Sequence, residues 1–365
     1  MTAVPLMALA TTTALLPRIL RIAHKKQLYD WPGQRKVHHT PIPRLGGLAF
    51  FPVGMVVVGL ATLLPHLLGC TYMATDGDMA HHLQALLVGG TVLFVVGATD
   101  DLVGVGYKKK FLAQFVASLA LVASGVWIQS LDGFLGIHHL PLWAGIPLTL
   151  FLVVLVTNAI NLIDGIDGLA AGLCLIALGM MAGLYLHLRL YPYAALAVAA
   201  MGTVVPFWFY NVLGSAEKRT KIYMGDAGSL ILGYLLSFLM VRLSMVDATA
   251  ACAAPLSTRH YLVLGVSPLL VPLLDVAKVV AIRLSHRRNP FLPDNNHIHH
   301  RLMRCGLTMP QTLVAIYALS LIYTGINAWL ASTASIHMVF AADVALFAAC
   351  HTAVSVTLRR RGGQA

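Results

Sequence analysis

The chain has 365 residues, 58% of them hydrophobic and only 11% charged, with a formal net charge of +11. A soluble domain carries roughly a quarter charged residues, so the composition excludes one. With no soluble basic surface or base-reading module, the positive charge is no argument for nucleic acid binding.

Apolar stretches of about twenty residues, each long enough to cross a bilayer as a helix, run along the whole sequence. They fall at roughly 2–22, 45–68, 83–99, 111–129, 141–160, 168–187, 190–213, 227–246, 260–283, 311–331 and 335–358. They predict one all-α, polytopic membrane domain of eleven transmembrane helices, because helices keep backbone polar groups paired in lipid. The first stretch has no basic residue before it and no small-residue cleavage site, so it reads as a helix and not as a signal peptide. Cys70, Cys174, Cys252, Cys305 and Cys350 show no CxxC spacing, which argues against a disulfide framework or a zinc ribbon.

The alternate loops, the ends of the stretches that flank them, Lys278 and the C-terminal tail together hold 22 of the 25 basic residues, and only Arg189, Arg242 and Arg259 fall on the other side. The positive-inside rule then predicts a cytoplasmic C-terminus and an N-terminus outside. It also puts the chemistry on the basic face, in loops 23–44, 100–110, 158–168, 214–226 and 284–310.

The first polar stretch is "RKVHHTPIPRLGG", residues 35–47, where Lys36, His38 and Arg44 offer charge to an anionic ligand or simply to lipid phosphates. In "GATDDLVGVGYKKKFLAQ", Asp100 and Asp101 close the third helix. Adjacent carboxylates at the negative end of a helix dipole repel each other and the helix, and a metal ion, or Lys108, Lys109 and Lys110, would relieve both. "NAINLIDGIDGLAAG" follows the fifth helix, with Asp164 and Asp167 in two Asp-Gly elements that read as turns or as a functional pair. In "KIYMGDAGSLILGYLL", Asp226 begins an apolar helix, either as its N-cap or as a metal ligand. The ninth stretch contains Pro268 and Pro272, which predict a kink and a lateral groove for a lipid chain. Last comes "RRNPFLPDNNHIHHRL", with His297, His299 and His300 among arginines, a setting that suits a phosphate or sugar better than zinc. Asp343, inside the last apolar stretch, receives no role from the sequence.

Carboxylates and bases gathered on one membrane face fit a divalent cation with a polyphosphate, Mg²⁺ being the natural ion. The motifs, their order and their spacing resemble the polyprenyl-phosphate N-acetylhexosamine-1-phosphate transferases (glycosyltransferase family 4). "HIHHRL" is similar to the bacterial undecaprenyl-phosphate N-acetylglucosamine-1-phosphate transferase branch.

The resemblance implies a reaction between UDP-N-acetylhexosamine and undecaprenyl phosphate in the bacterial inner membrane, with Mg²⁺ or Mn²⁺, as the first membrane step of an envelope polysaccharide such as O-antigen. It implies that Asp226, with Asp101, holds the metal, and that Asp100 and Asp101 lie near the lipid phosphate. It puts Asn161, Asp164 and Asp167 in the nucleotide site, Tyr223 and Asn211 near uracil, and His297, His299 and His300 at the sugar phosphate. Lys36 and Arg44 match the first loop. A transporter or flippase of a phosphorylated sugar or lipid is the rival reading, although the ionisable residues gather at helix ends and not at the midplane. Composition leaves a homodimer open.

Overall fold

The computed structural model describes residues 2–29, 41–67, 77–246, 261–287 and 296–362. Lys36, His38, Arg288 and Asp294 lie outside the described residues. In chain order the helices are α1 (Ala3–Lys26), α2 (Phe50–Leu67), α3 (Gly77–Val103), α4 (Tyr107–Ala123), α5 (Leu142–Ile163), α6 (Leu169–His187), α7 (Tyr191–Val212) and α8 (Gly225–Leu243). They continue with α9 (Tyr261–Val266), α10 (Leu270–Ser285), α11 (Ile298–Arg304), α12 (Met309–Thr333) and α13 (Ile336–Gly362).

Among the described residues ten helical passes are long and apolar enough to cross a membrane, with α9 and α10 forming one pass. The remaining predicted pass is α4, whose 17 residues span about 25 Å at 1.5 Å per residue. At the far end the Ile128 N–H donates to Thr149 Oγ1 (2.8 Å), near the start of α5. Ten of the eleven predicted stretches thus correspond to such passes and the eleventh to the shorter α4, and the fold is that of a multi-pass, all-α membrane protein.

Helix α8 is the axis. Ala227, Gly228, Ser229, Gly233 and Ser237 are small enough to let neighbouring backbones approach closely, which is how helices associate without a hydrophobic gradient between them. As a result α3, α5 and α6 pack around it, and 94% of its membrane window is buried. In α13 the same share is 6%, so that helix faces lipid.

The ninth pass breaks at a 3-10 turn, Ser267–Leu269, which separates α9 from α10. Pro268 lies in the break, as the sequence predicts. Pro272 falls in the first turn of α10, where a missing N–H costs no intrahelical bond. The break is fastened from outside: Ser320 Oγ donates to the Pro268 carbonyl (2.8 Å) and Asn327 Nδ2 donates to Ser267 Oγ (2.9 Å). Asn327 Nδ2 also donates to Asp343 Oδ2 (3.2 Å). Asp343, unexplained by the sequence, thus ties α13 to the break through α12.

Candidate active site

The first four N–H groups of a helix have no intrahelical acceptor. For α8 the sequence offers Asp226 as the cap, but Met224 occupies the N-cap position and no local side chain caps the helix. Asp101, from the end of α3, does so instead. Its Oδ1 accepts the Asp226 N–H (2.7 Å) and its Oδ2 accepts the Ala227 N–H (3.0 Å). A carboxylate poorly placed at the negative end of α3 thereby meets the positive end of α8. Gly225 makes room: its φ is +75°, and the Asp101 carboxylate and the Arg44 carbonyl stand where a Cβ would be.

Asp100 is held differently. Its Oδ1 accepts the Val105 N–H (2.7 Å), closing the turn after α3. Lys110 Nζ lies 3.4 Å from the same oxygen and 2.7 Å from Asp226 Oδ2. Of the three lysines in the motif, Lys110 is the one that supplies the relief that the aspartate pair needs. One oxygen each from Asp100, Asp101 and Asp226 lies within 4.8 Å of the others. Among the described residues this is the one group of three or more metal-capable side chains that converges so closely. Three carboxylates at such distances cannot all stay ionised without a cation nearby. The all-oxygen donor set fits a hard divalent ion, and Asp226 Oδ1 and Asp100 Oδ2 remain available to it, with the Lys110 ammonium holding that place electrostatically.

Residues 41–47 are stitched to 222–224 by three backbone bonds. The Tyr223 N–H donates to Pro43 O (2.8 Å), the Gly46 N–H to Tyr223 O (2.9 Å) and the Gly47 N–H to Met224 O (2.8 Å). This strap brings the Arg44 charge to bear on both Asp101 and Asp164, and leaves Tyr223 half-buried beside them.

The opposite wall is the turn between α5 and α6. Helix α5 ends at Ile163, and Asp164 takes the C-cap position. Asp167 Oδ2 accepts from Lys221 Nζ at 2.6 Å, and Asn161 Nδ2 donates to Ser229 Oγ (2.9 Å), linking α5 to the first turn of α8. Asp164 lies at the floor with part of its surface open. The surrounding protein pushes its carboxyl up to about 7, with the Arg44 charge opposing the rise and Asp226 and Asp167 adding to it.

Asn211, which the resemblance places near uracil, has both ends of its side chain engaged within the protein. It is buried, its Oδ1 accepts the Gly168 N–H (2.6 Å), and its Nδ2 donates to Ile222 O (2.9 Å). It clamps the turn to the strap.

The histidines close the site. His297 is the N-cap residue of α11, and His299 is packed against Gly165, where a Cβ would collide with its Nε2. The rings of His297 and His299 are parallel within 2°, their centroids 5.9 Å apart, and the His300 ring touches that of His299 at 4.2 Å. Both nitrogens of His299 are buried without a hydrogen-bond partner. Burial, followed by the charges of His300 and His297, lowers its pKa to about 3, so its imidazole is neutral at physiological pH.

Sequence reasoning missed Asp275. This residue of α10 is 2% exposed; its Oδ2 lies 2.7 Å from His297 Nδ1 and its Oδ1 accepts the Ile298 N–H (2.9 Å). It caps α11 and fixes the His297 ring together. The available signal was a single carboxylate in an otherwise apolar run, where an unpaired charge is costly.

Every predicted site residue within the described segments therefore comes to one end of the bundle, with carboxylates on one side and Lys110, Arg44, Lys221 and the histidines around them. Such an array of carboxylates and cations suits two phosphorylated groups brought together near a metal ion.

Comparisons with known proteins agree with this chemistry. The model of a family described as Glycosyl transferase family 4 matches residues 83–244, a span that includes the aspartates, Asn211 and Tyr223 but stops short of the histidines. A probable undecaprenyl-phosphate N-acetylglucosaminyl 1-phosphate transferase of Bacillus subtilis (strain 168) is 33% identical, over 87% of this chain and 82% of the relative. A decaprenyl-phosphate N-acetylglucosaminephosphotransferase of Mycobacterium tuberculosis (strain ATCC 25618 / H37Rv) is 34% identical, over 79% and 72%. An undecaprenyl-phosphate alpha-N-acetylglucosaminyl 1-phosphate transferase of Escherichia coli (strain K12) is 30% identical, over 84% and 77%.

Proposed function

The chain belongs to glycosyl transferase family 4, and from that premise we propose that it transfers N-acetylglucosamine 1-phosphate from UDP-N-acetylglucosamine to undecaprenyl phosphate. The products are undecaprenyl-diphospho-N-acetylglucosamine and UMP. The observation that carries this reading is the convergence of Asp100, Asp101 and Asp226 within 4.8 Å, beside an Asp167–Lys221 wall and a histidine cap.

In the reaction a lipid phosphate oxygen attacks the β-phosphorus of the UDP-sugar. A new P–O bond forms, the bond from that phosphorus to the bridging oxygen breaks, and UMP leaves with the electron pair. A phosphate monoester has a second pKa near 6, so the acceptor is mostly a dianion at neutral pH. Removing its last proton is a small part of the barrier, and bringing two anions together in line is the larger part.

Asp100 orients the acceptor and takes its residual proton. Asp101 holds the α8 N-terminus in place, Arg44 and Lys221 offset anionic charge, and Tyr223 offers a ring to the base. The neutral His299 and its neighbours meet the sugar phosphate. Asp226, with Asp101 beside it, would hold Mg²⁺ or Mn²⁺. When bound, the ion neutralises phosphate charge and aligns the two reactants.

The charge distribution supports a cytoplasmic site. Among the described basic residues, all but Arg189 and Arg242 lie at or near the end that carries the aspartates, the pattern of an inward-facing surface. That orientation meets a cytoplasmic UDP-sugar, with the N-terminus outside and the protein in the inner membrane. The experiment is a purified assay in which a panel of UDP-sugars, undecaprenyl phosphate and Mg²⁺ is scored for UMP.

A further inference from the structure

Behind α11, on the side away from the cleft, is a second cationic cluster that the reaction does not use. Residues two apart on a helix point about 200° away from each other, so when His299 faces Gly165, Arg301 faces the other way, toward α13. Arg301 is 9% exposed. Its Nη1 lies 2.7 Å from His351 Nδ1, and its Nη2 donates to Ser355 Oγ (2.7 Å). Lys278, from α10, brings Nζ to 3.1 Å from the same His351 Nδ1.

Two cationic donors therefore share the single lone pair of one neutral ring nitrogen. Arg304 adds its charge to both Lys278 and Arg301. The nearest carboxylate, Asp275, is already committed to His297 and to the Ile298 N–H. Among the described residues no carboxylate forms an ion pair with Lys278, Arg301 or Arg359.

His351, which meets both Arg301 and Lys278, and Ser355, which meets Arg301, also line a shallow depression of about 350 Å³ along α13 together with Ala348, Thr352, Val356 and Arg359. His351, Ser355 and Arg359 follow one another at four-residue spacing, so they form one stripe on α13. Arg359 stands at the basic end of this lipid-facing helix, and Ala348 and Val356 give the stripe apolar neighbours. Cations without counter-ions, hydroxyls beside them and an apolar flank at a membrane interface are the features that recognise a phosphodiester with acyl chains.

We propose that this depression binds the phosphate of an anionic phospholipid, with Arg359 in its lining and the charges of Arg301 and Lys278 just behind His351 and Ser355. The bound phosphate supplies the missing counter-charge and fastens α11 from behind, so the site acts on the orientation of His299 and His300 without touching substrate.

The test uses the full chain, purified in a neutral detergent and delipidated. It is titrated with dioleoylphosphatidylglycerol, with dioleoylphosphatidylcholine or with inorganic phosphate alone, and the retained lipid is counted by native mass spectrometry while Tm is followed in parallel. Phosphatidylglycerol is expected to be retained and to raise Tm, with phosphatidylcholine and free phosphate doing neither. Arg359→Gln, at an exposed position that does not threaten folding, is expected to weaken that retention about fivefold, the ratio for one basic residue at an anionic interface. The double variant Arg18→Gln/Arg21→Gln, on the exposed face of α1, is expected to leave it unchanged. Equal retention of phosphatidylcholine, equal loss in the α1 control, or an unaltered Arg359→Gln protein would each overturn the site. Stabilisation by inorganic phosphate alone would overturn its assignment to a lipid. Since the readout is binding, it is independent of whether the protein turns over a UDP-sugar.

Discussion

Asp101 on α3 accepts the backbone N–H of Asp226 on α8 at 2.7 Å, so one carboxylate of the cluster caps the helix that presents another. Stability and chemistry therefore part company within the aspartate pair. Asp101→Asn replaces one of two acceptor oxygens with an NH₂ group and leaves an N–H of α8 without its partner. Loss of such a cap costs about 1–2 kcal/mol, and the variant is expected to melt earlier in detergent. Asp100→Asn is expected to keep Tm within a degree or so of the parent while kcat falls about a hundredfold, the low end for a positioned acid–base group.

Lys110 competes with any cation for the same carboxylates, at 2.7 Å from Asp226 and 3.4 Å from Asp100. Lys110→Gln removes it and leaves the three carboxylates facing one another. Without metal the variant is expected to melt below the parent. With millimolar Mg²⁺ its Tm is expected to rise by more than the parent's does, since the ion now relieves a larger repulsion. A Tm of the variant indifferent to Mg²⁺ and Mn²⁺ would count against a metal at this cluster.

Asp275 gives His297 its orientation. Asp275→Asn keeps the size but loses the charge that holds the ring through Nδ1, and positioning partners of functional histidines are worth about 10–100-fold in activity. The expected outcome is a fall in kcat of that order. KM for undecaprenyl phosphate should stay nearly constant, because Asp275 is buried away from the membrane-side aspartates. Steady-state kinetics in mixed micelles separates the two parameters.

Asp164 and His299, both outside the membrane spans, pull stability in opposite directions. Asp164 keeps its proton in the fold up to about 7, whereas the unfolded chain releases it near 3.9. Its contribution is fully present below the lower value and is lost as pH rises toward 7. His299 stays neutral in the fold down to about 3, whereas the unfolded chain takes up a proton near 6.5. Its contribution grows as pH rises through that window. Between pH 4.5 and 6.5 the two largely offset each other in the metal-free protein. Asp164→Asn is therefore expected to make the slope of Tm against pH more positive, and His299→Gln to make it more negative, as thermal unfolding at several pH values would record.

Hydropathy sufficed for the passes, since a bilayer demands a length and a composition that each stretch shows on its own. The site's end of the bundle was also legible, since the basic loops and the Asp-Gly turns fall on the same parity of loops. Asp100, Asp164, Asp226 and His299 were singled out by their motifs and by the family resemblance. What escaped depends on pairs far apart in the chain. That Asp101 caps α8 follows from the register of α3 against α8, 125 residues away, and no local pattern encodes it. Asn211 reads equally well as a base contact and as a clamp until the Gly168 N–H is seen to point at it. Asp275 and Asp343 looked like isolated charges in apolar helices, and only tertiary packing supplied His297 to the first and Asn327 to the second.

UMP release measures the central claim most directly. Purified protein with Mg²⁺, undecaprenyl phosphate and a panel of UDP-sugars is predicted to release UMP with UDP-N-acetylglucosamine, only when the lipid is present, and to form undecaprenyl-diphospho-N-acetylglucosamine in equal amount. A stoichiometric burst of UMP with UDP-sugar alone, leaving an aspartate that carries the sugar 1-phosphoryl group, would contradict direct attack by the lipid phosphate. No UMP from any UDP-sugar, with a folded protein confirmed by its melting curve, would contradict the transferase itself.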